Sequence, residues 1–142
     1  MRFGDAIPTE RTFHEQYIQT DMGAVTVPTL NAENTYNVGS FTMPFAGSAV
    51  LNFLVRLEWI NGELYTYAHV GQSTPAPADA TYNTWRDGHD GPTFGSKADI
   101  PAAATWTGLA KGQVVTLRAS IYVALLNPKF DYFFGFARMF KA

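Results

Sequence analysis

Cysteine is absent from the 142 residues, which excludes a disulfide framework and any thiolate metal site. Charge is sparse as well. Asp, Glu, Lys and Arg make up 15% of the chain, with a formal net charge of −2. No basic stripe stands out, so no nucleic acid is expected as a partner. No run reaches the ~20 apolar residues that a membrane-crossing helix needs, and no membrane is expected. The opening MRFGDAIPTERTFHEQ has no apolar h-region, so no signal peptide is read there and the chain is expected to start at its own methionine. The phosphate-cradling loop, the G-x-S-x-G elbow and H-E-x-x-H are all missing. His14, His69 and His89 stand apart in sequence and none sits in a nucleophile-like context. Glu58, Asp87 and Asp90 are not placed across one cleft by any spacing, as a glycosidase needs. The expectation is no enzyme and no cofactor.

What the chain has instead is aromatic mass. Phe, Trp and Tyr reach 15%, nearly as many residues as carry charge. That balance suits a chain that buries much surface, within stacked sheets or against other subunits. The stretch Ala49–Val70, AVLNFLVRLEWINGELYTYAHV, shows the pattern most clearly. Asn61-Gly62 between two strand-forming runs predicts a two-residue hairpin, because a type I′ turn needs φ > 0 at both central positions. That register sets Trp59 opposite Leu64, Leu57 opposite Thr66, Val55 opposite Ala68 and Phe53 opposite Val70 on one apolar face. The other face carries Leu54, Arg56 and Glu58 with Tyr65, Tyr67 and His69.

Residues 1–23 read as an N-terminal arm that lies on a neighbour, with a short helical face over Thr12–Thr20 as the other reading; Phe13 and Tyr17 are its contact candidates. Residues 24–142 read as the sandwich domain, with a first strand at Ala24–Pro28. Thr35–Val38 is a short strand interrupted at Gly39. Ser40–Phe45 is an edge strand or ends in a bend, because Pro44 has no N–H for a ladder. Gly71 to about Pro101, rich in Pro, Ala, Gly and Asp, reads as one long loop, followed by a short strand at Ala102–Trp106. Gln113–Leu126 alternates, with Val115, Leu117, Ala119, Ile121, Val123 and Leu125 inward. Phe130–Lys141 is apolar on both faces, which predicts a central strand and the oligomer seam. Short strands, turn signals and no convincing long helix give an all-β antiparallel sandwich or jelly roll.

The long loop holds the one polar cluster with aromatics nearby: Tyr82, Trp85, Arg86, Asp87, His89 and Asp90. Asp and Gly there suit turns. Asp87, His89 and Asp90 are the residues a divalent ion would use, but D-G-H-D-G does not match an EF-hand, and no metal is expected. Trp85 with Tyr82 suggests a stacking platform for a sugar ring, the alternative being that Trp85 pins the loop to the sandwich.

Phe41-Thr42-Met43-Pro44-Phe45-Ala46-Gly47, then Leu109-Ala110-Lys111-Gly112-Gln113-Val114-Val115-Thr116-Leu117, then Phe133-Phe134-Gly135-Phe136, resemble the jelly-roll pattern of the C1q and tumour-necrosis-factor superfamily. Gln113 stands where that pattern has Asp. The resemblance implies a homo-oligomer, a trimer first. In size, lack of cysteine and polar N-terminus the chain also resembles small virion proteins of tailed bacteriophages. That resemblance implies a capsid decoration or cement protein, assembled in the host cytoplasm and bound to the major capsid protein or other virion proteins. The alternative is a receptor- or carbohydrate-binding head of a fibre or spike. Contacts are expected from Phe13, Tyr17, Leu54, Arg56, Tyr65 and Tyr67.

Overall fold

The computed structural model describes residues 13–89 and 96–142. Among these residues nine strands form: β1 (Phe13–Thr26), β2 (Ala32–Thr42), β3 (Gly47–Trp59), β4 (Gly62–His69), β5 (Asp79–Ala80), β6 (Asn83–His89), β7 (Ser96–Leu109), β8 (Val114–Ala124) and β9 (Lys129–Lys141). Sheet A has the order β1-β9-β3-β7-β5 and sheet B the order β2-β8-β4-β6, and every pairing is antiparallel. Without the two-residue β5, eight strands divide four and four, and every connection between consecutive strands crosses from one sheet to the other except that from β4 to β6, which are neighbours in sheet B. That is the jelly roll, as the sequence predicts in class.

The alternation explains the core. Ala49, Leu51, Phe53, Val55, Leu57 and Trp59 of β3 are all buried, as are Leu64, Thr66 and Ala68 of β4. The inward set expected for this stretch is therefore right, but the hairpin is not formed. β3 pairs with β7 and β9, and β4 with β6 and β8. The two strands share apolar faces across the core instead of backbone bonds along an edge. Gly62 has φ 92, yet Asn61 is not among the positive-φ residues, so a type I′ turn is absent at this crossover.

Three further expectations are corrected. Phe13–Gly23 is strand and not helix, since β1 runs beside β9 from Phe13↔Phe140 to Thr26↔Lys129. The boundary drawn after residue 23 falls inside this strand, where Gly23 (φ 67) and Ala24 (φ 52) make a bulge. Residues 71–101 are not one loop. Thr74 bridges Thr116, Trp106 Nε1 donates to Pro75 O at 2.9 Å, and the chain then forms β5, β6 and the start of β7. Finally, Leu125 leaves the inward series of β8. Its φ is 79 and it is 57% exposed, because the strand has already turned toward β9.

The open edges are managed locally. β1 and β2 close one side of the sandwich, where Thr20 Oγ1 donates to Val38 O at 2.6 Å and Gln16 Nε2 to Ser40 O at 3.2 Å. On the other side Asn83 Nδ2 donates to Pro101 O at 2.6 Å. β2 is an edge strand and stops at Thr42, before Pro44, for the reason read from the sequence.

Gly47 opens β3 where three strand ends converge. A Cβ there would lie 1.8 Å from Phe140 O, a backbone atom that cannot yield cheaply. Gly47→Ala is expected to destabilise the protein by about 3 kcal/mol, the overpacking range. Gly108→Ala, with φ 66 but open space around it, is expected to lose only about 1 kcal/mol. Urea unfolding of both variants checks the order, and equal losses would contradict the placement of Gly47.

Candidate functional site

Two outer faces remain once the core is filled, and they differ in chemistry. Sheet A turns outward Phe13, Glu15, Tyr17 and Gln19 of β1, Tyr132, Phe134, Phe136, Arg138 and Phe140 of β9, and Val50, Asn52, Leu54 and Arg56 of β3, since inward and outward positions alternate. Register brings Tyr17, Phe136 and Asn52 into one row, and Gln19, Phe134 and Leu54 into the next. Tyr17 stacks on Phe136 with ring centres 4.8 Å apart and leans on Phe134 at 6.1 Å. Even so, Tyr17 is 64% exposed and Phe13 47%. β1 can carry such residues outward because Ile18 and Met22 anchor its other side to the core.

Several charges around this face are paired within the molecule. Arg56 binds Asp99 in a two-pronged contact, Nε to Oδ1 at 2.7 Å and NH2 to Oδ2 at 3.0 Å. Arg138 approaches Glu15 at 3.5 Å and Lys97 approaches Asp131 at 3.8 Å. The Arg56 guanidinium holds the Asp99 carboxyl below its ordinary value, mainly through the hydrogen bond and against the opposing effect of burial. The aromatic patch is thus framed by ion pairs that neutralise one another.

Sheet B presents a different surface. Tyr122 of β8 and Tyr67 of β4 are register partners and their rings stack at 4.9 Å, only 4° from parallel. Tyr82, just before β6, lies against the other side of Tyr67 at 4.9 Å. Tyr65 meets Tyr122 edge-on at 6.4 Å. Glu33 reaches in from β2. Its Oε1 lies 2.6 Å from His69 Nε2 and accepts from Tyr67 OH at 3.3 Å. Gly71 N–H donates to His69 Nδ1 at 3.0 Å, so Nδ1 is the acceptor and the ring proton sits on Nε2, aimed at Glu33. Burial, then the nearby Glu33 charge, raise the Tyr67 phenol above its ordinary value.

The turn before β2 sets this carboxylate in place. Asn31 takes φ 58, a conformation Asn tolerates. Buried Asn34 then locks the turn, accepting from Thr29 N–H at 3.1 Å and donating to Thr29 O at 2.9 Å. Beside the carboxylate, Ser120 points outward from β8 but is fully buried.

The contact candidates named from sequence therefore divide. Phe13, Tyr17, Leu54 and Arg56 share the outside of sheet A, whereas Tyr65 and Tyr67 lie on the opposite side of the molecule. The loop candidates divide too. Arg86 faces outward on β6 and pairs with Glu63, while Tyr82 joins the tyrosine stack. Trp85 is half-buried, opposite buried Thr66, and packs against the core, so it forms no platform with Tyr82. Asp87 Oδ1 accepts from Gly88 N–H at 2.8 Å, and no metal-binding group of His, Asp and Glu occurs among the described residues. The side chain of His89 and all of Asp90 lie outside those residues. Sequence reasoning passed over Glu33 and Tyr122 as site residues. Tyr122 was legible as outward-facing, but nothing local says that β8 lies beside β4.

Among the described residues, a pocket of ≈ 280 Å³ between Trp59, Ile60, Leu126 and Lys129 sits at one end of the sandwich, and a shallower one of ≈ 480 Å³ between Gly47, Leu109 and Ala142 at the other.

No family model matches the chain, and no curated protein is similar to it. Among solved structures it is similar to the tripod (BppUct-A-L) from the baseplate of bacteriophage Tuc2009. That likeness has 17% identity and a TM-score of 0.46, and covers 99% of this chain and 67% of that one. It is also similar to a chain of infectious bursal disease virus, Gx strain, at 9% identity and TM-score 0.28, covering 93% of this chain and 38% of the other. The Gt strain gives 12%, 0.27, 92% and 38%.

The Arg56–Asp99 pair gives a pH signature. A depressed carboxyl contributes stability that is complete above its unfolded value and is lost as pH falls through the folded one. The stability gap between wild type and Arg56→Met is expected to be small, constant above about pH 5 and closing below about pH 4. A gap that persists unchanged to the lowest pH at which both fold would contradict the assignment.

Proposed function

We propose that this protein is a non-enzymatic structural subunit of a virus particle, self-associating through the outside of sheet A. The observation that carries the reading is the Tyr17–Phe136–Phe134 face, exposed and ringed by internally paired charges. A contiguous aromatic patch of this kind on a sheet marks an interaction surface. With its frame already neutralised, the patch meets another copy without like-charge repulsion. Apolar burial contributes about 2.5 kcal/mol per 100 Å², so about 600 Å² offsets even the upper estimate of association cost, about 15 kcal/mol.

The double-sheet jelly roll is used by viral capsid and lectin domains alike, and that breadth suits a virion role without selecting one. Assembly through sheet A turns every sheet B outward, away from the contact. That geometry favours a receptor- or carbohydrate-binding head of a fibre or spike. The second reading is a capsid decoration protein whose greasy face lies on the shell, with the major capsid protein as partner. It rests on the same aromatic face, which a shell surface covers as well as a second copy does.

Light scattering coupled to size-exclusion chromatography separates the two. The head reading expects an oligomer, a trimer first, that Tyr17→Glu and Phe13→Glu convert to folded monomers. A wild-type monomer that sediments with shells stripped of it would favour decoration. A wild-type monomer that binds no particle would overturn both.

A further inference from the structure

We infer that the outside of sheet B is a sugar-binding face, with Glu33 as its acceptor and Tyr82 as its stacking surface. This rests on the head reading, which leaves that face free, and it names the ligand class.

Three observations carry it. First, the rings of Tyr122 and Tyr67 occupy each other's faces at 4.9 Å, and Tyr82 covers the far side of Tyr67. No cation-sized gap remains between them, so an aromatic cage for a quaternary ammonium is excluded. The row offers ring edges and hydroxyls, with a single broad aromatic surface on Tyr82, which is 57% exposed. Second, Glu33 is held in advance. His69 and Tyr67 both address Oε1, and among the described residues no hydrogen bond is made to Oε2. A fixed carboxylate with a free oxygen accepts hydroxyl protons without the cost of ordering a long side chain. Third, donors and acceptors of mixed kind surround it: Tyr122 OH near Asn31 Oδ1 at 3.5 Å, and the phenol of Tyr67. An apolar disc beside a carboxylate and hydroxyls matches a pyranose, which has an apolar C–H face and a polar rim. It does not match an anion, which Glu33 repels, or an apolar peptide, which would strand the carboxylate.

The test is an array of hexopyranose oligosaccharides probed with the full chain, followed by calorimetric titration of the strongest binder. Binding is expected, weakened about tenfold or more by Glu33→Gln, the loss of one charge-assisted hydrogen bond. Tyr82→Ala is expected to weaken it similarly, and because Tyr82 lies outside every strand this variant keeps the sheet. No binding on the array, or affinity unchanged in both variants, overturns the inference. Light scattering on the same samples keeps the two readings apart. An intact oligomer that binds no glycan sinks the sugar face and leaves the self-association standing.

Discussion

All but one of the connections between the eight main strands cross the sandwich, the exception being β4 to β6, and much of the molecule follows from that constraint. Strands joined by a crossing connection can bury their apolar sides against each other only through the core. Phe53 and Phe133 stack there at 5.4 Å, and Phe41 meets Trp106 edge-on at 5.5 Å. One alternating sequence thus supplies an inward face to the shared core and an outward face to one side of the molecule, and its successor supplies the opposite side. This is why Arg56 and Tyr67, on successive strands either side of the crossover, end on different surfaces.

That separation gives the protein two chemistries on one rigid support. The sheet A exterior is apolar and internally neutral, suited to burial. The sheet B exterior is a stiff ladder of tyrosines around an oriented carboxylate, suited to contact with a hydroxylated ligand. Neither requires a deep cleft, and the pockets at the two ends of the sandwich, ≈ 280 and ≈ 480 Å³, lie at or below the lower half of what ligand sites use, about 300–1,000 Å³. Rigidity is the shared requirement: the stacking at Tyr67 and the paired charges around Phe136 both reduce the ordering cost of binding.

Local pattern made the inward residues legible. The period-two series of β3, β8 and β9 made roughly half of the buried apolar core legible, with Leu125 lost to a left-handed turn that no periodicity announces. Partner strands were less legible. Asn61-Gly62 is a strong hairpin signal, yet tertiary packing overrode it, because the apolar sides of β3 and β4 are better covered across the core. β6, N-T-W-R-D-G-H, has the composition of a loop and is a strand because it sits at a sheet edge, where polar side chains are tolerated. β1 was read as an arm because its apolar residues are few; its backbone bonds to β9 hold it, and those have no sequence signature. The Glu33–His69–Tyr67 arrangement joins residues 34 and 36 positions apart across a strand between them, which no local spacing encodes.

The central claim is that the outside of sheet A is covered by another copy while the outside of sheet B is open. Hydroxyl-radical footprinting of the assembled protein, read by mass spectrometry at single residues, tests it most directly, because the two most exposed tyrosines lie on opposite faces. The account predicts that Tyr17 and Phe136 are protected on assembly while Tyr82 stays reactive. Tyr17 remaining as reactive as Tyr82 in the assembled protein would contradict it.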